Sequence, residues 1–340
     1  MTAWDTRTLR TAMGRRAALA VAAGTLAMPA AARAQGGSAP GSDWPSQAVR
    51  YINGFPPGGS TDILSRIFCA KMSEITGQQF VVENRSGSGG VVGTDAIAKS
   101  RPDGYTVGLG GIAAHAIAPT LQPSMPYDPE KDFTFVTGLW QLPNLLIVNN
   151  DLPARTVPEL IALLKANPGK YSYGSAGPGT TLHISGALLA QMEELDIMHV
   201  PYRGAGPAMV DLIAGRVQFM LDNMPSALAQ AQQGKVRALA VTSRERSPAA
   251  PELPSLAEFL PGFHIVSWTS LCAPAGLPRA VIDRMSSFSK RALESEDLRR
   301  SYLEQGATPW WTTPEEIAAY SAAERTRLRP LILASGARRD

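Results

Sequence analysis

The sequence predicts an α/β fold in two lobes, each a mostly parallel β-sheet flanked by helices. Strand patterns and helix patterns alternate along the whole chain, which is typical of parallel sheets joined by helical crossovers. A turn rich in glycine, proline, serine and threonine joins a strand to a helix in each half of the chain. Two extended apolar segments lie where the chain could cross between the lobes.

Short runs of apolar and β-branched residues predict the strands. They cover residues 49–55, 80–83, 106–109, 145–148, 171–174, 197–200, 217–221, 237–241 and 266–273. The clearest helix between them begins at Thr156, where Glu159 completes a capping-box pattern. Gly215 is expected to end the helix at residues 207–214, because glycine favours the left-handed conformation that follows a helix.

Two strand-to-helix turns carry the strongest functional signal. The first has the sequence FPPGGSTD at residues 55–62, and the second has GSAGPGTT at residues 174–181. Each turn presents unpaired backbone N–H groups at the positive end of a helix, with no large side chain in the way. Such an arrangement binds anions. One turn in each half of the chain suggests two lobes that close on a carboxylate.

The boundaries of the lobes follow from the two extended apolar segments, residues 141–148 and 264–271. The predicted first lobe is discontinuous and comprises residues 44–142 and 266–340. The predicted second lobe comprises residues 143–265. Two crossings of this kind form a hinge, which allows the cleft between the lobes to open and close.

The N-terminal segment has the layout of a secretory signal peptide. Arg15 and Arg16 precede an apolar run at residues 17–28, and a small-residue cleavage signal ends at Ala34. We therefore expect residues 1–34 to be removed on export and residues 35–43 to form a disordered polar tether. The arginine pair is also similar to a twin-arginine signal but lacks the usual preceding serine or threonine, so the export route stays open.

The leader carries the basic charge of the chain. It contains five arginines and one aspartate, so its removal changes the formal net charge from +3 to −1. The mature chain therefore predicts no nucleic-acid or membrane partner. Cys69 and Cys272 are expected to be separately buried thiols. The four histidines show no metal-ligand spacing, and neither a metal nor a cofactor is expected.

A series of motifs runs along nearly the whole mature chain. They are FPPGGSTD (residues 55–62), VENRSGSGG (82–90), PDGYT (102–106), YGSAG (173–177), HVPYRG (199–204), DNMPS (222–226), RALAVT (237–242) and APAG (273–276). In sequence and order they resemble the motifs of the tripartite tricarboxylate transporter substrate-binding proteins, also called the Bug family.

The resemblance implies a two-lobed periplasmic binding protein of type II with a two-strand hinge. It implies a monomer without catalytic activity, which captures a small organic carboxylate in the inter-lobe cleft and delivers it to membrane permease subunits of a tripartite tricarboxylate-type transporter. By position, the predicted ligand-binding residues are Phe55, Gly58, Gly59, Thr61 and Asp62 in the first lobe, and Gly177, Gly179, Thr180, Thr181, Tyr202, Arg203, Gly204, Asp222 and Asn223 in the second. The loop at residues 110–115 has fewer hydroxyl groups than its counterpart in the family.

Several of these residues keep a structural alternative. Asp62 stands in a first helical turn, where a carboxylate could position the loop instead of contacting a ligand. Arg203 could pair with a second carboxylate or remain a solvated surface arginine. Asp222 could fix the nearby loops or meet an amino group of the ligand.

Two other functions also stay open. A secreted α/β hydrolase would need a nucleophile, a base and an orienting acid, and the chain contains no Gly-x-Ser-x-Gly elbow. A receptor that signals to a membrane sensor kinase would use the same cleft as a transport receptor, so the sequence does not separate these two functions.

Overall fold

The structure, a computed structural model, describes residues 43–122 and 124–335. The predicted signal peptide, all but the last residue of the predicted tether, and residues 336–340 of the predicted first lobe lie outside the described residues. Cys69 and Cys272 are both free and buried, as the sequence predicts.

Strands and helices alternate through the described chain. The strands are β1 Val49–Asn53, β2 Phe80–Asn84, β3 Thr106–Gly111, β4 Phe133–Val148, β5 Ser172–Ser175, β6 Met198–Pro201, β7 Phe219–Asn223, β8 Arg237–Val241, β9 Val266–Pro274 and β10 Thr308–Pro309. The helices are α1 Ser60–Thr76, α2 Val91–Ala98, α3 Ala118–Leu121, α4 Val157–Lys165, α5 Thr181–Glu193, α6 Ala205–Ile213, α7 Met224–Gln232, α8 Arg279–Glu294, α9 Glu296–Glu304 and α10 Pro314–Ala334. A π-helix, Ile112–Ile117, precedes α3, and 3₁₀ turns span Ser88–Gly90 and Leu256–Glu258.

The helix ends follow the sequence signals. The Thr156 hydroxyl accepts the amide of Glu159 at the start of α4, and Thr313 forms a capping box with Glu316 at the start of α10. Gly215 has φ of +76° just after α6, which is the left-handed conformation expected of a glycine in that place.

The strand β4 is much longer than the predicted strand at residues 145–148. It spans sixteen residues, and its first half pairs with β9 with two shifts of register, between Phe135 and Thr137 and between Gly138 and Trp140. Such bulges interrupt the two-residue alternation of side chains that identifies a strand in a sequence. The first half of β4 was therefore not predicted.

Two sheets share β4. In the first sheet β4 pairs with β9 and β10, and in the second its residues from Asn144 to Val148 pair with β7 and β8. The strand order is β2-β1-β3-β9-β4-β7-β5-β6, with β8 and β10 attached to β4. Within each sheet most strands run in one direction, and the exceptions are β9 and β10 in the first sheet and β4 itself in the second. This arrangement confirms the predicted two-lobed α/β fold.

Helices cover both faces of each sheet and bury separate apolar clusters. In the first lobe α1, α8 and α9 pack on one face, and α2, α3 and α10 pack on the other. In the second lobe α4 and part of α5 cover one face, and α6 and α7 cover the other. Ile184 of α5 also joins the cluster around α10, so a helix of the second lobe packs against a helix of the first.

The two chain crossings between the lobes are joined by one threonine. The buried Thr242 hydroxyl accepts the amide of Asn144 at 2.8 Å and donates to the carbonyl oxygen of Ile265 at 2.7 Å. Asn144 lies in the outgoing crossing, and Ile265 lies in the returning one. A single side chain therefore satisfies polar backbone groups of both hinge segments.

We predict that Thr242→Val destabilises the protein by about 2 kcal/mol, because valine keeps the volume but leaves the Asn144 amide and the Ile265 carbonyl without this partner. Urea denaturation measures the change in the free energy of unfolding. Thr242→Ser, which keeps the hydroxyl and removes one methyl group, should cost about 1 kcal/mol or less. Equal losses in the two variants would contradict the role given to the hydroxyl.

Candidate functional site

The parallel strands of both sheets end at the junction of the lobes. In the first sheet β4 is parallel to β1, β2 and β3. These three strands therefore end on the side of the sheet where β4 passes into the second sheet. In the second sheet β4 runs away from the crossing, and β5, β6 and β7 run opposite to it and end at the crossing as well. Ligands of α/β proteins bind outside the carboxyl ends of parallel strands.

The pairing register shows how close the two sets of strand ends are. Gly111 at the end of β3 is level with Thr269 of β9, which pairs with Trp140 of β4. Asn223 at the end of β7 pairs with Asn144 of β4. Asn144 follows Trp140 by four positions along β4, which corresponds to about 13 Å. The loops that follow the strands therefore face a shared region.

Loop one, residues 54–59, joins β1 to α1 and is held by the Asp62 carboxylate. Asp62 accepts the amide of Gly58 at 2.9 Å, the side-chain amide of Asn84 at 2.8 Å and the Arg66 guanidinium at 2.9 Å. Burial alone would raise the pKa of Asp62, but these hydrogen bonds outweigh it and lower the pKa below its usual value. The geometry gives Asp62 the positioning role that the sequence left as an alternative.

Phe55 connects loop one to the next loop of the first lobe. A Cβ atom at Gly90 would lie 3.2 Å from the Phe55 ring, so the ring packs directly on this glycine. Gly59 is exposed, has ordinary backbone angles and precedes the first residue of α1. A Cβ atom there would lie 3.7 Å from its nearest neighbour, the carbonyl oxygen of Pro56, which is an ordinary contact.

Loop two, residues 176–180, joins β5 to α5 and depends on glycine conformations. Gly177 has φ of +118° and Gly179 has φ of +77°, which other residues rarely adopt. The Thr180 hydroxyl donates to the carbonyl of Gly177 at 2.8 Å and accepts the amide of His183. The Thr181 hydroxyl is shared between Asn144 and Asn223 at 3.4 Å each. Both threonine hydroxyls are therefore used inside the protein.

The remaining donors at the two helix starts are backbone amides. Within residues 43–122 and 124–335, the amides of Ser60 and Thr61 in α1 and of Thr181 and Leu182 in α5 have no hydrogen-bond acceptor. These groups lie at the positive ends of helices of 17 and 13 residues. Each loop therefore presents a pair of free N–H groups with a favourable dipole, which suits a carboxylate oxygen.

The two lobes meet at loop two. A Cβ atom at Gly179 would lie 2.4 Å from a methyl group of Leu121 in α3, so this glycine packs closely on the first lobe. A cavity of about 10 Å³ lies beside this contact, large enough for about one water molecule. Its lining is mostly apolar and combines both lobes: Ser88, Gly89, Ala113, Ala118, Leu121, Gln122, Pro178 and Gly179.

Three predicted site residues follow β6: Tyr202, Arg203 and Gly204. They are only partly connected to loop two. The Tyr202 amide donates to the carbonyl of Ser175 at 3.0 Å, but its hydroxyl donates to Asp211 at 2.8 Å, beyond α6. Arg203 is exposed, and among the described residues it has no ion-pair partner. Gly204 has φ of +126° and stands immediately before α6. Among the described residues, Tyr202, Arg203 and Gly204 form no hydrogen bond or ion pair with loop one.

Asp222 at the end of β7 is completely buried. One carboxylate oxygen accepts the Ser226 hydroxyl at 2.6 Å, and the other has no partner among the described residues. Burial raises the pKa of Asp222 to about 6, although the hydrogen bonds from Ser226 and the Asn223 amide lower it in part. Asn223 is half-buried and contacts the Thr181 hydroxyl, which places it beside loop two.

Two of the four histidines, which lie far apart in the sequence, are in contact in the structure. The rings of His183 and His199 stack with centroids 4.1 Å apart, and His199 lies 2.7 Å from the Ser175 hydroxyl. Burial lowers the pKa of His183 to about 4, and burial and the charge of His183 lower that of His199 to about 3. The parallel register of β5 and β6 brings these groups together, and only a correct pairing of Tyr173 with His199 would have predicted it.

Other side chains near the cleft are structural. His115, in the π-helix, is buried between Phe133 and Phe135, with ring centroids at 4.7 and 5.1 Å. Trp140 and Trp268 are also fully buried in the first lobe. In the part of the chain that the structure describes, no cluster of three or more potential metal ligands occurs. The helices within residues 43–122 and 124–335 include none that is long and apolar enough to span a bilayer.

The chain is similar to several known proteins. Residues 64–337 match the family described as "Tripartite tricarboxylate transporter family receptor". Protein BugT of Bordetella pertussis is 36% identical over 297 residues, which is 87% of this chain and 91% of BugT. A solved structure of R. palustris Rpa4515 with adipate is 35% identical with a TM-score of 0.83, covering 86% of this chain and 98% of that one. MatC of Rhodopseudomonas palustris with bound malate is 31% identical with a TM-score of 0.78, covering 85% and 100%.

The buried carboxyl of Asp222 predicts a stability that falls as the pH rises. Its folded-state pKa of about 6 lies above the ordinary value of 3.8, so the folded protein holds a proton that the unfolded chain has lost between these pH values. The free energy of unfolding of the wild type, relative to Asp222→Asn, should therefore decrease by up to about 3 kcal/mol between pH 4 and pH 7.

Urea denaturation of both proteins across this pH range measures the difference. Asp283→Asn removes a carboxylate whose side chain is 56% exposed and serves as the matched surface control. A difference between wild type and Asp222→Asn that is constant with pH, or that rises with pH, would contradict the prediction.

Proposed function

This chain belongs to the tripartite tricarboxylate transporter receptor family, and we propose that it binds a small organic carboxylate between loop one and loop two. As a member of this family it is a periplasmic carboxylate receptor rather than a component of cytoplasmic metabolism. The observation that carries the proposal is the matched pair of helix starts, each with two unpaired backbone amides, at the facing ends of two sets of parallel strands.

The role that we propose for each site residue follows from its contacts. The free amides of Ser60 and Thr61 in loop one's helix, and of Thr181 and Leu182 in loop two's helix, would hold carboxylate oxygens. Gly58 and Asp62 would set the shape of loop one, and the shape of loop two would depend on its glycines and on Thr180. The proposed site includes these loop-shaping residues as well as residues that would contact the ligand, and it comprises Phe55, Gly58, Gly59, Thr61, Asp62, Gly177, Gly179, Thr180, Thr181, Tyr202, Arg203, Gly204, Asp222 and Asn223.

Similar proteins bind ligands of this class. Rpa4515 has been solved with adipate and MatC with malate. Both ligands are dicarboxylates, and the exposed Arg203, which follows Tyr202 beside loop two, would supply a cation for a second carboxylate. We propose that a dicarboxylate or a monocarboxylate with an apolar body fits this chain, since the wall at Ala113, Ala118 and Leu121 is apolar.

The proposed lobes are those expected from the sequence. Residues 44–142 and 266–340 would form the first lobe, and residues 143–265 the second. Support comes from the change of pairing partners within β4, between Pro143, which pairs with β9, and Asn144, which pairs with β7. The hydrogen bonds of Thr242 to both crossings support a hinge at the same level.

We further propose that the receptor acts without catalysis. The Ser175 hydroxyl and His199 form the kind of contact that a hydrolase uses, but the serine is fully buried. The pKa of His199, near 3, makes it a weak base at neutral pH. The proposed receptor is a monomer, is exported with removal of residues 1–34, and delivers its ligand to the permease subunits of a tripartite tricarboxylate-type transporter.

A thermal-shift screen of organic acids tests the proposed ligand class. We expect adipate, malate or an aromatic acid to raise the melting temperature, because selective binding to the folded state stabilises it by about 2.7 kcal/mol at one hundred times the dissociation constant. The corresponding amides, which lack the negative charge, are the controls. Equal shifts with acids and amides, or no shift with any acid, would contradict a carboxylate receptor.

Gly59→Leu tests loop one. The new side chain meets no close neighbour within the protein but projects at the start of α1, so affinity for the best acid of the screen should fall at least about tenfold. The free energy of unfolding should change by less than about 1 kcal/mol, as is usual for exposed sites.

Ala70→Leu, at an exposed position farther along α1, is the matched control. Isothermal titration calorimetry measures the affinities, and urea denaturation measures the stabilities. Unchanged affinity in Gly59→Leu would remove loop one from the site.

A further inference from the structure

Four rings stack in the second lobe behind loop two. Phe219 of β7 and Tyr173 of β5 have centroids 5.7 Å apart, Tyr173 and His199 of β6 are 4.9 Å apart, and His199 and His183 of α5 are 4.1 Å apart. The interplanar angles are 27°, 29° and 25°, so the rings form one continuous column. We call Phe219, Tyr173, His199 and His183 the ring stack.

The first two rings of the stack, Phe219 and Tyr173, are held in place by their surroundings. Phe219 is fully buried in the core of the second lobe. A Cβ atom at Gly186 would lie 2.2 Å from the Tyr173 ring, so this ring lies against the backbone of α5. The Tyr173 hydroxyl also donates to the carbonyl of His183 at 3.3 Å. The two imidazoles therefore stack on a fixed base, and His183 itself is buried.

Both imidazoles contact the peptide segment that forms loop two. The Nδ1 atom of His183 accepts the amide of Gly179 at 3.4 Å. The Nε2 atom of His199 lies 2.7 Å from the Ser175 hydroxyl, which in turn accepts the amide of Gly177 at 3.1 Å. The two histidines thus reach the start and the end of the turn.

We propose that His183 and His199 are positioning residues, which hold loop two in the conformation that presents the amides of Thr181 and Leu182 to a carboxylate. This inference rests on the proposed function for its biological consequence, but the positioning itself is a property of the free protein. The histidines do not contact the ligand in this scheme. They act through Gly179 and Ser175.

The role requires a neutral imidazole with a defined tautomer. Because Nδ1 of His183 accepts the amide of Gly179, its hydrogen must be on Nε2. A protonated His183 would direct an N–H group at another N–H group and would release Gly179. The low pKa of His183, near 4 through burial, keeps the ring neutral at neutral pH.

The tautomer is the first test. Nitrogen NMR of the free protein labelled with ¹⁵N-histidine at pH 7.5 should show His183 as a neutral ring with an unprotonated Nδ1 that accepts a hydrogen bond. His183→Asn assigns the signal by its loss. An Nδ1–H tautomer, or a charged ring, at His183 would overturn the proposal.

Two substitutions of His183 separate positioning from packing. Both His183→Asn and His183→Leu remove the ring from the stack, but only asparagine keeps an acceptor near the place of Nδ1. Amide hydrogen exchange of the segment around Gly179, measured without ligand, should accelerate about tenfold in the leucine variant and remain within about threefold of wild type in the asparagine variant. Equal acceleration in both variants would overturn the positioning role.

Adipate titrations of the same proteins at pH 7.5 give the functional reading. We expect the dissociation constant to rise about tenfold in His183→Leu and less than about threefold in His183→Asn. His199→Gln, which keeps a polar atom near the place of Nε2, should bind better than His199→Leu. His264→Asn removes a half-buried imidazole outside the ring stack and should bind as wild type does.

The two kinds of failure can be told apart. Absence of adipate binding in the wild type, together with the expected exchange pattern, would count against adipate as a ligand and would leave the positioning role supported. Normal adipate binding in His183→Leu, with exchange unchanged, would overturn the positioning role and leave the carboxylate site supported.

Discussion

The passage of one strand, β4, through both sheets is the constraint on which the site depends. Because β4 runs with the parallel strands of the first sheet and against those of the second, the carboxyl ends of both sets face its crossing. The chain after β1, β2, β5, β6 and β7 leads in each case into a helix, so the N-termini of α1, α2, α5, α6 and α7 lie at these carboxyl ends. The hydrogen bonds of Thr242 to Asn144 and Ile265 keep the two crossings together at this level, so the hinge and the site share one piece of backbone.

The site attracts an anion without a buried cation. Burying an unpaired arginine or lysine costs several kcal/mol, whereas the amides at a helix start are already oriented by the helix. In loop one the charged groups Asp62 and Arg66 are engaged in shaping the loop. Neutral histidines serve loop two in the same way. The geometry thus separates the groups that shape the loops from the amides that are left free.

The sequence predicts the alternation of strands and helices and the two glycine turns from local patterns alone. It did not predict the first half of β4, since two bulges break the alternation of its side chains. It also names Thr180 and Thr181 among the ligand-binding residues, and in the structure without ligand their hydroxyls contact Gly177, Asn144 and Asn223. The contact of His183 with His199 depends on the pairing of β5 with β6 and on the entry angle of α5. These are long-range choices that no short stretch of sequence contains.

Gly179 brings the separate constraints on loop two together at one position. Its positive φ makes the turn, its amide is held by His183, and its α-carbon lies against Leu121 of the first lobe. Only the last of these depends on the two lobes being in contact, because the turn and the histidine lie within the second lobe. A movement of the lobes at the hinge would release Leu121 and leave the other two constraints in place. Loop two therefore keeps the orientation of its amides whether or not the first lobe covers it. A carboxylate that arrives before closure meets donors that are already ordered, so its binding costs less conformational entropy.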